Sequence, residues 1–532
     1  MKKYSQSILG EKAREYLIEG ARQVYEPVVA TLGARGRNIV QWKHYQTKSI
    51  RDGVKTANSI NPKEPFENAG AEILKQSAQN QVDSVGDGTT VAIVLGYSIA
   101  KEALKLVNSG INPMALKSGL ERGRDILVSE IEKLSKPIKN KKEKVQVATI
   151  ASQSDELGEL IGDTLDKSGV DGVVTVEEAV GPETFVEHQE GVQIDSGYRT
   201  EYFVTNPENM TATVSNAYIL VTDYKLTAMN DLIPLFDNLF TQNKKNTFVV
   251  IASDIEGSVL ATMVQNKLKG NFSSIAIKAP SFQMEETLRD IAMVVGAKFI
   301  SKQSHLDLKT LTIDDLGYAD MITSSREATV ITGGGRLEDR VKVKKSIQDR
   351  ITALKNQLET ETQEFMRMKI KERLSRLTGG VYVIKVGGQT EVEIDDKKER
   401  IDDAVQATRS AIKGGIVAGG EVVFLAVRDK LKSKDENEEY SFRILRNALF
   451  LPFEKLVENA GFNAGELNSK LLAPQEGMGI DVTTGEMVNM FEKGIIDPSL
   501  VLITAIRNGV SVAISIICSD GIIAEIEEED KK

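Results

Sequence analysis

The chain has 532 residues, 41% of them hydrophobic and 27% charged, which is the composition of a water-soluble globular protein with room for about three domains. Its net charge of −10 argues against a general phosphate-backbone binder, because non-specific nucleic-acid affinity comes from clustered Lys and Arg. No run of apolar residues reads as a membrane span, and MKKYSQSILGEKAREY has no apolar stretch behind its basic pair, so neither a membrane partner nor a signal or transit peptide is expected.

From Leu9 to Leu32 apolar residues recur at spacings of three and four (Ala13, Leu17, Ala21, Val24, Val28), which predicts a helix that breaks at Gly33 and Gly36. A second helix is predicted from Pro65 to Val85, stopping at Gly86, and a third, strongly apolar one from about Val91 to Val107. From about residue 170 the pattern changes. Strands are predicted at 172–176, 217–222, 247–252, 273–278 and 297–300, with helices at 230–242, 257–268 and 284–294 between them. Alternation at this spacing marks an α/β unit. Arg336 to Thr378 holds neither Gly nor Pro and reads as one or two long solvated helices, followed by a strand at Val381–Val386. Helix returns after Arg400, broken at Gly414-Gly415 and Gly419-Gly420. The charged stretch 428–440 is expected to be an exposed loop and Glu525–Lys532 a frayed acidic tail. Two α-rich ends around an α/β middle predict a discontinuous base with an inserted domain.

Gly86-Asp87-Gly88-Thr89-Thr90 lies where a helix opens. Free N–H groups and the positive end of the helix dipole favour an anion there, and the glycines allow close backbone approach. Asp87 would repel a bare phosphate, so the arrangement implies a bridging divalent cation such as Mg2+. The same pentapeptide would also serve as a tight turn with Asp87 or Thr89 as helix cap. The Walker lysine pattern is absent, so this is not a P-loop. Cys518 is the single cysteine, which excludes intrachain disulfides and a cysteine metal cluster and fits a reducing cytoplasm. His44, His188 and His305 lack metal-ligand spacing, and with Cys518 they are read as structural.

Several blocks then occur in a fixed order: Thr31-Leu32-Gly33-Ala34-Arg35-Gly36-Arg37-Asn38, Arg51-Asp52-Gly53-Val54, Phe66-Glu67-Asn68-Ala69-Gly70-Ala71, Gly86–Thr90, Asp403-Ala404 with Ala407-Thr408-Arg409, Val417-Ala418-Gly419-Gly420 and Gly494-Ile495-Ile496-Asp497-Pro498. Together they strongly resemble the group I chaperonins, the bacterial GroEL family, over nearly the whole chain. The resemblance implies a multi-domain α and α/β fold. A discontinuous, mainly α equatorial domain would comprise 1–134 and 413–532, a small intermediate domain 135–190 and 380–412, and an α/β apical domain 191–379. It implies an ATPase that binds ATP with Mg2+, with K+ as a candidate further ion. It also implies unfolded polypeptide clients, self-association into sevenfold rings, and a small GroES-like co-chaperonin.

In the nucleotide site implied by this resemblance, Thr31, Leu32, Gly33 and Ala34 form a first loop, and Arg51 stands where the family has Lys. Asp87, Gly88, Thr89, Thr90 and Val91 form the phosphate loop, with Asp87 as metal ligand. Gly420 and Asp497 lie at the nucleotide and its ribose, and Asp481, Val482 and Thr483 beside the base. Asp403 aligns the attacking water, Asp52 lies across from it, and hinge closure is expected to bring Asp403 in. Ala34, Val91 and Ala151 depart from the family's residues, and Arg51 changes donor geometry. Helix 230–242 carries apolar residues over an arc of roughly 160°, against the roughly 100° a surface helix must bury, so the excess is either core or an exposed groove. The resemblance places polypeptide binding at Tyr198, Tyr202, Phe203, Ile233, Phe236, Leu260 and Val264, with Gln265 a polar departure, and hinges at Gly191 and Gly379-Gly380. Glu454 and Asn463 replace the family's ring–ring charge pair, and the tail lacks its Gly-Gly-Met repeats. These departures leave a second reading open, a chaperonin paralogue that binds or scaffolds without a folding cycle. A metabolic kinase would need an acceptor pocket for which no residues are seen.

Overall fold

Strands Lys3–Leu9 and Gly521–Glu527 pair antiparallel, Lys3 opposite Glu527 and Leu9 opposite Gly521, so the two ends of the chain meet. The computed structural model describes residues 3–527 except 44–45, 170–171, 180, 190, 208–209, 243–245, 281–283, 305–306, 362, 379–380, 434 and 472–476. His44, His305 and the expected Gly379-Gly380 hinge therefore lie outside the described residues. The chain divides into two compact units, Met1–Asp166 with Gln389–Lys532, and Lys167–Gly388. Both segments expected in an intermediate domain are cut by this division: 135–166 and 389–412 fold with the first unit, 167–190 and 380–388 with the second.

The first unit is built on helices Glu11–Val29, Pro65–Val85, Thr89–Asn108, Pro113–Leu134 and Ser499–Ile517. Ser499–Ile517 is long and apolar enough to cross a membrane, yet Leu502, Ile506, Val510, Ala513 and Ile517 are buried in the helical core with Val91, Leu95 and Ile99. Apolar residues on most of its circumference mark a central core helix. Asn112, Asn140 and Thr390 cap the helices that follow them with side-chain oxygens.

The second unit holds a six-stranded mixed sheet in the order Ser273–Lys278, Thr247–Ala252, Ala212–Val221, Gly317–Ser324, Thr329–Gly334, Gly191–Ile194. The first three strands run parallel and the others join antiparallel. Thr247–Ala252 is buried along its whole length, as a central strand covered on both faces must be. A separate three-stranded sheet places Val381–Val386 between Val173–Glu178 and Phe185–Gln189. The charged run resolves into two helices, Arg340–Thr360 and Glu364–Thr378.

Four expectations are corrected. The stretch 428–440 is not all loop: Asp435 caps a helix at Glu436–Ala448 by accepting the Glu438 N–H, and Glu438 is buried against Arg122. The acidic tail is strand as far as Glu527, because Gly521–Glu527 alternates its faces, burying Ile522 and exposing Ile523. Residues 297–300 form a single bridge from Ile300 to Thr222, since the Lys298 N–H goes to the Asp315 carbonyl. Helix 230–242 is three pieces: a short turn at Met229–Asp231, one α turn at Ile233–Phe236 and wider π-type turns at Asp237–Gln242. Pro234, lacking an N–H, starts a fresh first turn there.

Candidate functional site: a helix start ringed by carboxyls

The Thr89–Asn108 helix begins after Gly88, which is left-handed at φ 78, and no side chain caps its first turn. Asp87 turns its carboxylate onto the Gly88 N–H instead. The cap reading therefore falls away, and a helix start with no side-chain cap is the feature that attracts an anion. The bend is held from below by Gln81, whose amide donates to the carbonyls of Asp87 (2.9 Å) and Val501 (3.0 Å) and accepts from Asn508 (2.9 Å).

Arg51-Asp52-Gly53 packs against the bend. A Cβ on Gly53 would lie 2.5 Å from Thr90 Oγ1 and 2.6 Å from Thr89 Oγ1, so only glycine lets the two loops touch. Asp52 caps the Gly53–Asn58 helix through the Lys55 N–H at 2.6 Å. Arg51 donates to the carbonyls of Ala34 (3.1 Å) and Gly33 (3.4 Å), and so ties down the first loop. Asn459 donates to Val29 and Leu32, both at 3.0 Å. Gly33, at φ 85, sits so close to Leu456 that a Cβ would be 2.0 Å from its Cδ1. Thr31 is buried and its hydroxyl goes to the Val28 carbonyl. Arg35 reaches Thr483 at 2.9 Å, bringing Asp481, Val482 and Thr483 beside the same loop. The Asp481 carboxylate is taken by the N–H and hydroxyl of Thr483.

Asp403 lies on the Glu391–Gly414 helix, which packs directly on the bend. Ser410 donates to the Val85 carbonyl at 3.1 Å, a Cβ on Gly86 would be 2.2 Å from Gln406 Cβ, and Lys55 pairs with Glu399 at 2.9 Å. The charges of Asp52 and Asp87 act on Asp403, so the three carboxyls share one neighbourhood. Asp497 comes from the strand Ile496–Pro498, opposite Val417, beside the turn at Gly419-Gly420, where the Gly419 N–H donates to the Ile495 carbonyl.

These carboxyls hold their protons more tightly than ordinary ones. Burial pushes Asp403 well up, and the charges of Asp52, Asp87, Glu399 and Asp402 add to it. Burial, with Asp87 contributing, raises Asp52 and takes Asp497 up to about 6. Asp87 is raised by burial alone. Asp402 is pushed to about 7 by burial, against the pull of Lys398 and Lys55. Glu421 is raised well above the usual range by burial, then by Asp497 and Asp87. So many crowded carboxyls favour entry of a cation. Among the described residues no three acids, histidines or cysteines gather closely enough to cage an ion by themselves. One carboxylate with the rest of the shell from phosphate and water is the usual arrangement for Mg2+, so Asp87 at an anion-attracting helix start fits that ion.

Gln81 and Glu421 were not singled out in the sequence. Gln81 does carry a signal, a polar residue at a core position of the Pro65–Val85 pattern. Glu421 carries none beyond its place after two glycines.

In the second unit, Tyr202 is 65% exposed and Ile233 52% exposed, with Leu260 and Val264 half-buried on the Gly257–Leu268 helix beside exposed Gln265. Tyr198, Phe203 and Phe236 are interior. The Tyr198 hydroxyl donates to the Met210 carbonyl, Phe203 is sealed beneath Lys267, and Phe236 meets Phe240, Phe248 and Phe272 edge to face. The apolar excess on 230–242 is therefore mostly core, with Leu232, Leu235 and Leu239 wholly buried.

A discontinuous helical unit carrying an anion-attracting bend ringed by carboxyls, and an α/β unit spliced into it, define a multi-domain chaperonin-like fold of the GroEL type. The TCP-1/cpn60 chaperonin family model matches residues 24–233 and 240–527, and the chain belongs to that family and its chaperone class. Among solved structures, the chaperonin gp146 from the bacteriophage EL 2 (Pseudomonas aeruginosa), crystallised in the presence of ATP-BeFx, is similar in two crystal forms. The TM-scores are 0.69 and 0.62, with 19% identity over 98% of this chain and 99% of that one. At that identity the likeness is one of fold.

Proposed function

We propose that this chaperonin binds and hydrolyses Mg-ATP at the Gly86–Thr90 bend and couples that cycle to the capture and folding of non-native polypeptide. The observation that carries the reading is the uncapped helix start at Gly88, faced by Asp52, Asp87 and Asp403. Phosphoryl transfer to water is mostly positioning and charge neutralisation, which suits a site built from backbone N–H groups and carboxylates. The N–H groups that open the Thr89–Asn108 helix hold phosphate oxygens, and Thr89 and Thr90 offer hydroxyls. Asp87 would hold Mg2+, which when bound would supply neutralisation of the phosphate charge. Asp403 orients the attacking water and takes its proton, a role served by a carboxyl with raised proton affinity. Arg51 and Asn459 keep the first loop in place, and Asp497 receives the ribose.

The apolar surface offered by Tyr202, Ile233, Leu260 and Val264 receives unfolded segments and a small co-chaperonin. Sevenfold ring assembly belongs to the same proposal. The test is refolding of a denatured client with Mg-ATP and a cognate co-chaperonin. Asp403→Ala is expected to keep ATP binding and client capture while turnover and release collapse. Full turnover in that variant would remove Asp403 from its role, and capture without release by the native chain would leave a holding scaffold instead.

A further inference from the structure

Glu421 follows Gly420 where the chain turns from strand Ile416–Ala418 into helix Val422–Arg428. It is a non-glycine residue at φ 63, a backbone region that side chains other than Asn and Asp rarely adopt. Its side chain is only 7% exposed, and Oε2 has no hydrogen-bond partner. An orphaned buried carboxyl oxygen on a left-handed residue is costly unless something meets it. The charged groups acting on it are Asp497 on the strand Ile496–Pro498 and Asp87 at the bend. The pairing of Ile416–Ala418 with Ile496–Pro498 brings the turn that carries Glu421 beside Asp497.

A further carboxyl beside Asp497 repels phosphate, so its counterpart must be a cation or a hydroxyl. The cation of the reading above is assigned to Asp87, with phosphate and water completing its shell, whereas Glu421 stands beside Asp497, the residue that receives the ribose. A sugar hydroxyl remains, and two carboxyl groups side by side offer an acceptor to each oxygen of a vicinal diol. We infer that Glu421 is a second ribose-binding residue, which with Asp497 receives the 2′- and 3′-hydroxyls of a bound ribonucleotide and selects it over deoxynucleotides. This rests on the nucleotide reading given above and names a contact that reading does not include.

The test is calorimetric titration of the intact protein with Mg-ATP, Mg-2′-deoxy-ATP and Mg-3′-deoxy-ATP, using native chain, Glu421→Gln and Glu421→Gly. Glycine takes up φ 63 without strain, so that variant should fold, and glutamine keeps an acceptor oxygen in place. The native chain should prefer ATP over at least one deoxy analogue by about tenfold, about 1.4 kcal/mol. Glu421→Gly should lose that preference by weakening ATP alone, while Glu421→Gln retains most of it. An unchanged preference in Glu421→Gly, or equal weakening of all three nucleotides, overturns the inference. A native chain that binds no nucleotide overturns the proposed ATPase instead.

Discussion

Replacing Asp402 by Asn should make the protein more stable at alkaline pH and leave it little changed in acid. Asp402 neighbours Asp403 on the Glu391–Gly414 helix, and burial takes it from 3.8 up to about 7 despite Lys398 and Lys55. Below about pH 4 the group is protonated whether the chain is folded or not, so burial costs nothing there. Between about pH 4 and 7 the unfolded chain releases a proton that the fold retains, and stability falls as pH rises. Above about pH 7 the whole difference is felt. It is roughly three pH units at about 1.4 kcal/mol each, a ceiling of about 4 kcal/mol that water reaching the carboxylate reduces. Asparagine has nearly the same shape and does not ionise. Asp402→Asn should thus gain roughly 2–4 kcal/mol over the native chain near pH 8, with the gain shrinking toward zero near pH 4. Urea unfolding of both proteins across that range reads it directly. A variant less stable than native near pH 8, or a difference that does not change with pH, would refute the reasoning.

Gly53→Ala gains up to about 1 kcal/mol of helix propensity but drives a methyl group onto Thr89 and Thr90, a cost of about 1–3 kcal/mol. The two hydroxyls must swing away, so ATP affinity should drop about tenfold or more while stability falls by roughly 0–2 kcal/mol; native-like affinity would show that the loops do not touch. Asp290 is buried between Arg350 (2.9 Å) and Arg373 (2.7 Å). Asp290→Ala should cost the second unit about 3–5 kcal/mol by leaving those cations without their buried partner, and a loss below 1 kcal/mol would contradict this. Ile233→Ser with Tyr202→Ser should cut capture of a denatured client several-fold, whereas Phe203→Ser should instead lower stability, because Phe203 is core.

Much of the fold was legible because the elements announce themselves locally. Pro65–Val85 and Val381–Val386 begin and end where glycine, proline and β-branched residues say they should. The bend at Gly86–Thr90 was legible for the same reason: two glycines stand at a helix start. Long-range facts were not. Lys3–Leu9 becomes a strand only because Gly521–Glu527 lies beside it. Gln81 matters through Asn508, and Glu421 through Asp497 and Asp87, partners that local patterning does not reveal. Phe203 and Phe236 were placed on the binding face by the family resemblance, and matching positions in a sequence do not tell a groove from the core beneath it.

The most direct measurement of the central claim is a crystal structure of the protein with Mg2+ and a non-hydrolysable ATP analogue. The account requires phosphate oxygens on the N–H groups that open the Thr89–Asn108 helix, metal density against Asp87, and Asp403 within hydrogen-bond reach of a water in line with the terminal phosphate. Nucleotide bound elsewhere, or that bend filled only by solvent at saturating ligand, would contradict it.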